Sequence, residues 1–146
     1  MKGPTVTEID TSTDFGARVS RRLDEERIIW LTTVRPDGRP EPSPVWFLWD
    51  GETFLIYSEP STVKLRNIAA QPHVSLHMHG DFWGNDIVIF SGEARIDDDA
   101  STADGLSELL RKYKENLDQP GGPTTEAFTR NYSVAIRVTP TKLRGF

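Results

Sequence analysis

The residues best suited to chemistry lie in one stretch, Tyr57-Ser58-Glu59-Pro60-Ser61-Thr62-Val63-Lys64-Leu65-Arg66-Asn67. An apolar, β-type run ends here, hydroxyl residues follow, and a short helical pattern opens with Lys64 in its first turn. The first N–H groups of a helix have no intrahelical partner, so with hydroxyls and an ammonium they make a cradle for phosphate. A lysine at a helix start opposes the helix dipole and is unfavourable there unless an anion is near. An ordinary cap beside a solvated lysine uses the same residues, so spacing alone leaves both readings open.

Other clusters carry less. His73, His77 and His79 share one face of a strand pattern. Same-face neighbours on a strand lie roughly 7 Å apart, which is awkward for one metal ion, and no carboxylate alternates with them. A polar face, or one histidine lining a pocket, is the expectation, with no metal. Trp46, Trp49, Phe82 and Trp83 can stack on a ring or wall a pocket, whereas Trp30 and Phe54 sit inside strand patterns and read as core. Trp83, between Gly80 and Gly84, suits a lid or a dimer contact. Ser91-Gly92-Glu93 reads as a strand bulge rather than a nucleophile. The sequence contains no glycine-rich dinucleotide fingerprint, P-loop or G-x-S-x-G elbow.

The elements that must position these residues follow from periodicity. Residues 1–10 have none and read as a loose arm, leaving 11–146 as a single domain. A helix begins near Ser12 to Asp14, with Phe15, Val19 and Leu23 as its apolar stripe and Arg18, Arg21, Arg22, Asp24 and Glu25 on its solvent side. Strands are predicted over Ile28–Val34, Arg39–Trp49 and Thr53–Tyr57, joined by the Pro36-Asp37-Gly38 turn and the Asp50-Gly51 hairpin, as a three-stranded meander. Pro42 and Pro44 put part of the second strand at an edge. A short helix over Ser61–Ala70 precedes strands near Val74–Met78 and Asp86–Ile96. Asp97, Asp98 and Asp99 suit the N-terminus of an amphipathic helix bearing Leu106, Leu109, Leu110, Tyr113 and Leu117. Pro120-Gly121-Gly122-Pro123 breaks that helix, a turn of helix follows over Thr125–Arg130, and Ser133–Leu143 is a last strand with Pro140 at an edge or bulge. Hairpins dominate, so the expected fold class is mainly β (α+β), an antiparallel barrel with helices outside.

Composition narrows the function. The chain has 146 residues, enough for one core, and its 36% apolar and 27% charged residues are those of a globular domain. A net charge of -5 argues against nucleic acid, which demands a basic surface. The absence of cysteine removes disulfides, thiolate metal sites and cysteine nucleophiles. No apolar run is long enough to span a membrane and no signal-peptide pattern opens the chain, so a soluble cytoplasmic protein is expected, without membrane partners.

The strand Ile28–Val34, the Pro-Asp-Gly turn, Pro42-Ser43-Pro44-Val45-Trp46-Phe47, Asp50-Gly51 and Ser58 through Lys64 to Asn67 together resemble the pyridoxamine 5′-phosphate oxidase-like flavoproteins. The nearer likeness is to their deazaflavin branch, the coenzyme F-420-dependent reductases. The resemblance implies an FMN-binding split β-barrel and a homodimer with its site at the interface. It implies an oxidoreductase that passes hydride between F-420, or alternatively FMN, and a small electron-poor acceptor such as a quinone or an unsaturated lactone or ester. By the same likeness Ser58, Ser61, Thr62 and Lys64 face the phosphate, Asn67 supports the loop, and Pro44, Val45 and Trp46 lie along the ring system. Arg66 and, where the partner chain closes the site, Arg130, Arg137 or Lys142 are candidates for the anionic tail of F-420, and a histidine or Tyr132 for the proton. The arginine-rich C-terminal signature of true pyridoxamine phosphate oxidases is missing, so vitamin oxidation is not expected. A non-catalytic carrier or sensor of F-420, flavin or haem is the alternative from another class.

Overall fold

The computed structural model describes residues 8–99 and 102–146. Helix α1 (Asp14–Glu25) is capped by Thr13, whose Oγ1 accepts from the Gly16 N–H at 3.0 Å. Val19 and Leu23 of its stripe are fully buried. Arg22, expected on the solvent side, is buried too. Its guanidinium donates to the carbonyls of His79 and Asp86 and to the Glu26 carboxylate, so the charge enters the protein with its donors satisfied. Of the predicted arm, residues 1–7 lie outside the described part, and Ile9 packs against the core. A Cβ on Gly16 would meet the Asp10 carbonyl at 1.8 Å, so only glycine admits this close approach.

Strands β1 (Ile29–Val34), β2 (Pro40–Val45), β3 (Leu48–Trp49), β4 (Phe54–Ser58), β5 (His73–His77), β6 (Val88–Ile96) and β7 (Val134–Gly145) form one antiparallel sheet in the order β2-β1-β5-β6-β7-β4-β3. Its two edges, β2 and β3, are joined by Trp46 and Phe47 alone, so the sheet must curl into a half-barrel. The predicted meander is therefore corrected. The second strand breaks at the Trp46–Phe47 corner, where Phe47 is wholly buried. Its first half pairs with β1 and its second half with β4, at the opposite edge. Pro40, Pro42 and Pro44 occupy alternate positions, and alternate N–H groups on a strand point to one side. That side has no donors and can only be an edge.

Gly92 lies where the β6–β7 register slips, Ser91 facing Lys142 and Gly92 facing Pro140, which is the bulge expected at both places. Val19, Leu31, Phe47, Phe54, Ile56, Phe90 and Ile136 fill the half-barrel. Helix α2 (Val63–Ala70) lies between β4 and β5 in the chain and packs on β1 and β6. A second, smaller core under α3 (Thr102–Lys112) and α4 (Thr125–Asn131) joins Leu109, Tyr113, Leu117 and Phe128 to Trp46, Leu48 and Tyr57.

Among the described residues α3 begins at Thr102, and the step from Asp99 to it lies outside them. Asp97 is buried and receives Arg137 Nε at 2.8 Å, with Arg95 at 3.3 Å. No helix among the described residues is long and apolar enough to cross a membrane.

Candidate functional site

The β4–α2 junction is built from hydroxyls that bind each other. Ser58 is fully buried, its Oγ donating to the Glu59 carbonyl at 2.8 Å and sitting 3.1 Å from Thr62 Oγ1. Thr62 is the N-cap of α2, yet its side chain accepts no helix N–H. The earliest helical bond, from the Arg66 N–H to the Thr62 carbonyl, leaves the N–H groups of the first turn uncapped, beside Lys64. Ser61 holds a left-handed φ of 63°, a conformation costing a non-glycine residue about 1–2 kcal/mol, and its carbonyl accepts from Arg66 Nη1 at 2.9 Å. Asn67 does not face the junction's open side. It is buried, and its Nδ2 donates to Thr33 Oγ1 at 3.0 Å, tying α2 to β1.

Next to the junction lies a cavity of about 340 Å³. Pro44, Val45 and Trp46 of the β2 end form one wall, Tyr57 and Lys64 line it from β4 and α2, and Phe128 and Tyr132 close it from the α4 side. Four aromatic rings run through this region. Trp46 stacks on Tyr113 at 4.4 Å and on Phe128 at 5.1 Å, and Phe128 stacks on Tyr132 at 4.7 Å. Tyr113 anchors the column, its hydroxyl accepting from the Phe47 N–H at 2.9 Å and donating to the Arg27 carbonyl at 2.8 Å. Burial pushes its phenol up to about 12.

Burial lowers the Lys64 ammonium below the usual lysine value, while the Glu59 carboxylate opposes that shift. Burial and the Glu59 carboxylate raise Tyr132, and burial raises Tyr57, so both phenols are neutral donors at neutral pH. Lys64 and Thr62 also line a smaller cavity of about 190 Å³ with Glu41 and Ser43. Arg35, Asp37, Arg66 and Asn67 border a third of about 350 Å³.

The structure thus gathers Pro44, Val45, Trp46 and Lys64 at one cavity, with Thr62 joining Lys64 in the smaller one, whereas Ser61 lines neither and Ser58 and Asn67 are buried. Arg137 does not line the cavity of its own chain. It is spent on Asp97 and on Asp50, 3.2 Å away. Arg130 stands exposed on α4 against Glu126. His77 stacks on Trp30, and among the described residues no group of histidines and carboxylates could hold a metal. Phe82 and Trp83 are largely exposed at the β5–β6 tip. Phe128 was not legible as a wall of the cavity. Its short helix follows a proline–glycine break, and nothing in its spacing points to Trp46.

Comparison with known proteins gives the same frame. A family model described as pyridoxamine 5′-phosphate oxidase matches residues 15–145. No curated protein sequence matches the chain. Among solved structures, an F-420 reductase is 30% identical, the match covering 86% of this chain and 94% of that one with a TM-score of 0.66. The haem storage protein HutZ of Vibrio cholerae is 16% identical over 94% of each chain, with a TM-score of 0.70. An FAD-binding protein of Mesorhizobium loti is 14% identical over 87% of this chain and 88% of that one, with a TM-score of 0.64. The last two share the fold alone.

Proposed function

The chain belongs to the pyridoxamine 5′-phosphate oxidase family, and from that premise we propose that it is a reductase whose β4–α2 junction and adjoining cavity hold coenzyme F-420. The uncapped start of α2 beside Lys64 carries this reading. Thr62, turned to Ser58, leaves first-turn N–H groups for a phosphate, and Lys64 supplies the positive charge. The aromatic and proline walls suit a planar ring, so the residues present fit a phosphate-bearing tricycle.

When bound, the deazaflavin ring supplies hydride chemistry, and the protein supplies placement. Lys64 and the α2 N–H groups fix the anionic stem. Pro44, Val45 and Trp46 hold the ring plane and exclude water. Reaction requires the acceptor to be held roughly 3–3.5 Å from the reactive carbon, so alignment is the main task of these walls. Tyr57 and Tyr132, held neutral, are candidate donors for the proton that completes reduction. The acceptor is a small electron-poor molecule such as a quinone or an unsaturated lactone or ester.

Preference for F-420 over FMN is supported by the 30% identical F-420 reductase and by Arg66, an exposed cation on α2 suited to the anionic tail of F-420, while Arg35 beside it is paired with Glu41 at 2.9 Å. The working form proposed is a cytoplasmic homodimer with the site at the interface. The half-exposed Ile28 and exposed Pro44 at the cavity mouth are suited to cover by a second copy. Titration of the protein with F-420 and with FMN, followed by oxidation of reduced F-420 with quinone acceptors, tests the reading. F-420 binding with turnover supports it. FMN binding with FMN-dependent turnover moves the assignment to a flavin enzyme, and binding without turnover to a carrier.

A further inference from the structure

Phe128 occupies a face of Trp46, and its carrier is a short helix set between joints. Helix α4 caps itself, the Ala127 N–H donating to Thr124 Oγ1 at 3.0 Å. Upstream, Asp118 and Gly121 have left-handed φ of 60° and 81°, and Pro120, Gly122 and Pro123 surround them. Asp118 fastens this turn to the helix, accepting from the Thr125 N–H at 2.8 Å and the Thr125 hydroxyl at 2.7 Å. Phe128, only 6% exposed, and Tyr132 hold the helix to the half-barrel by stacking on Trp46 and on each other. The cavity that these residues help to line measures about 340 Å³. That is the low end of ligand sites, roughly 300–1,000 Å³. With Phe128 seated on Trp46, that volume is what one chain leaves open to a ligand.

We propose that Phe128 is a resident plug and the specificity-determining residue of the cavity: it holds the place on Trp46 that a planar ligand takes, and α4 swings outward on the 118–124 turn to give it up. The inference rests on the reading of the cavity as a site for a planar redox group. Its ligand class is a flat, conjugated ring system able to replace one aromatic stack with another. The room gained as α4 moves sets how thick a pair of stacked rings can be.

The chain has no cysteine, so Arg130→Cys on the exposed side of α4 gives a unique site for a nitroxide label. FMN binding is followed by flavin fluorescence and label mobility by electron paramagnetic resonance. Displacement predicts a more mobile label in step with FMN binding. It also predicts that Phe128→Ala and the milder Phe128→Leu bind FMN at least threefold more tightly, because the plug is gone. FMN binding with an unchanged label, or weaker binding by both variants, overturns the plug and leaves the cavity assignment standing. No binding of FMN or F-420 to wild type overturns the cavity assignment and the plug with it.

Discussion

Ser58 Oγ and Thr62 Oγ1 lie 3.1 Å apart across the turn from β4 to α2, so the hydroxyl best placed to cap the helix is directed to a neighbour instead. The helix gives up a cap, which is typically worth about 1 kcal/mol, and in exchange keeps its first N–H groups open.

Thr62→Asp reverses that exchange. A carboxylate at the N-cap accepts from the helix N–H groups and places negative charge in the cradle. The variant is expected to be more stable than wild type by about 0.5–1 kcal/mol in urea denaturation, and to bind F-420 or FMN at least tenfold more weakly by titration. Gain in both properties, or loss of neither, contradicts the reading of the open helix start.

Asp97 and Arg137 form a nearly buried pair that fastens the end of β6 to β7. Burial works against the Asp97 carboxylate, but its hydrogen bond from Arg137, the Asp99 N–H and the Arg95 charge outweigh it and hold its pKa below the usual range. A depressed carboxylate stabilises above its unfolded pKa and loses that contribution as pH falls through the folded value. Stability is therefore expected to decline below about pH 4. Asp97→Asn is expected to cost about 3 kcal/mol at pH 7, by leaving Arg137 with the half-exposed Asp50 as its carboxylate partner and the Thr53 hydroxyl as a neutral acceptor, and to flatten the acid decline. Thermal unfolding at pH 3 to 7 measures both.

Lys112 gives a change of the same sign in the alkaline range. Its Nζ donates to the Phe47 carbonyl at 3.0 Å and lies 3.6 Å from the centre of the Phe47 ring. Burial first, then the Arg27 charge, lowers its pKa to about 8. The unfolded lysine keeps its proton to higher pH, so between about pH 8 and 10 the unfolded state binds more protons and stability rises. Above about pH 10 the unfolded Tyr113 ionises while the folded phenol, at about 12, does not, and stability falls again. A stability maximum on the alkaline side is expected, with a rise on the order of 1 kcal/mol that Lys112→Met abolishes. Urea denaturation from pH 7 to 11 reads it.

The parts that local patterning controls were legible in the sequence. The stripe of Val19 and Leu23, the Asp50-Gly51 hairpin, the alternation of Val74, Leu76 and Met78, and the paired bulge at Gly92 and Pro140 all lie where periodicity and turn chemistry put them. What escaped depends on distant partners. Arg22 reads as solvent-facing until the carbonyls of His79 and Asp86 are brought to it. Asp97 reads as a helix start until Arg137 arrives from the last strand. The second strand reads as continuous because Trp46 and Phe47 are good strand residues, although Pro40, Pro42 and Pro44 already mark an edge that no third strand could join. In the site, Lys64 and its helix start were visible as types at a spacing. Their aromatic cover from α4 was not, since stacking of Phe128 on Trp46 spans most of the chain.

The most direct measurement compares FMN with riboflavin, which carries the same ring without the phosphate, on wild type and on Lys64→Ala. The account predicts that FMN binds wild type at least tenfold more tightly than riboflavin, that Lys64→Ala erases most of that difference, and that the variant unfolds at the wild-type temperature. Equal affinity of wild type for the two, or a phosphate preference untouched by Lys64→Ala, would contradict a phosphate cradle at the start of α2.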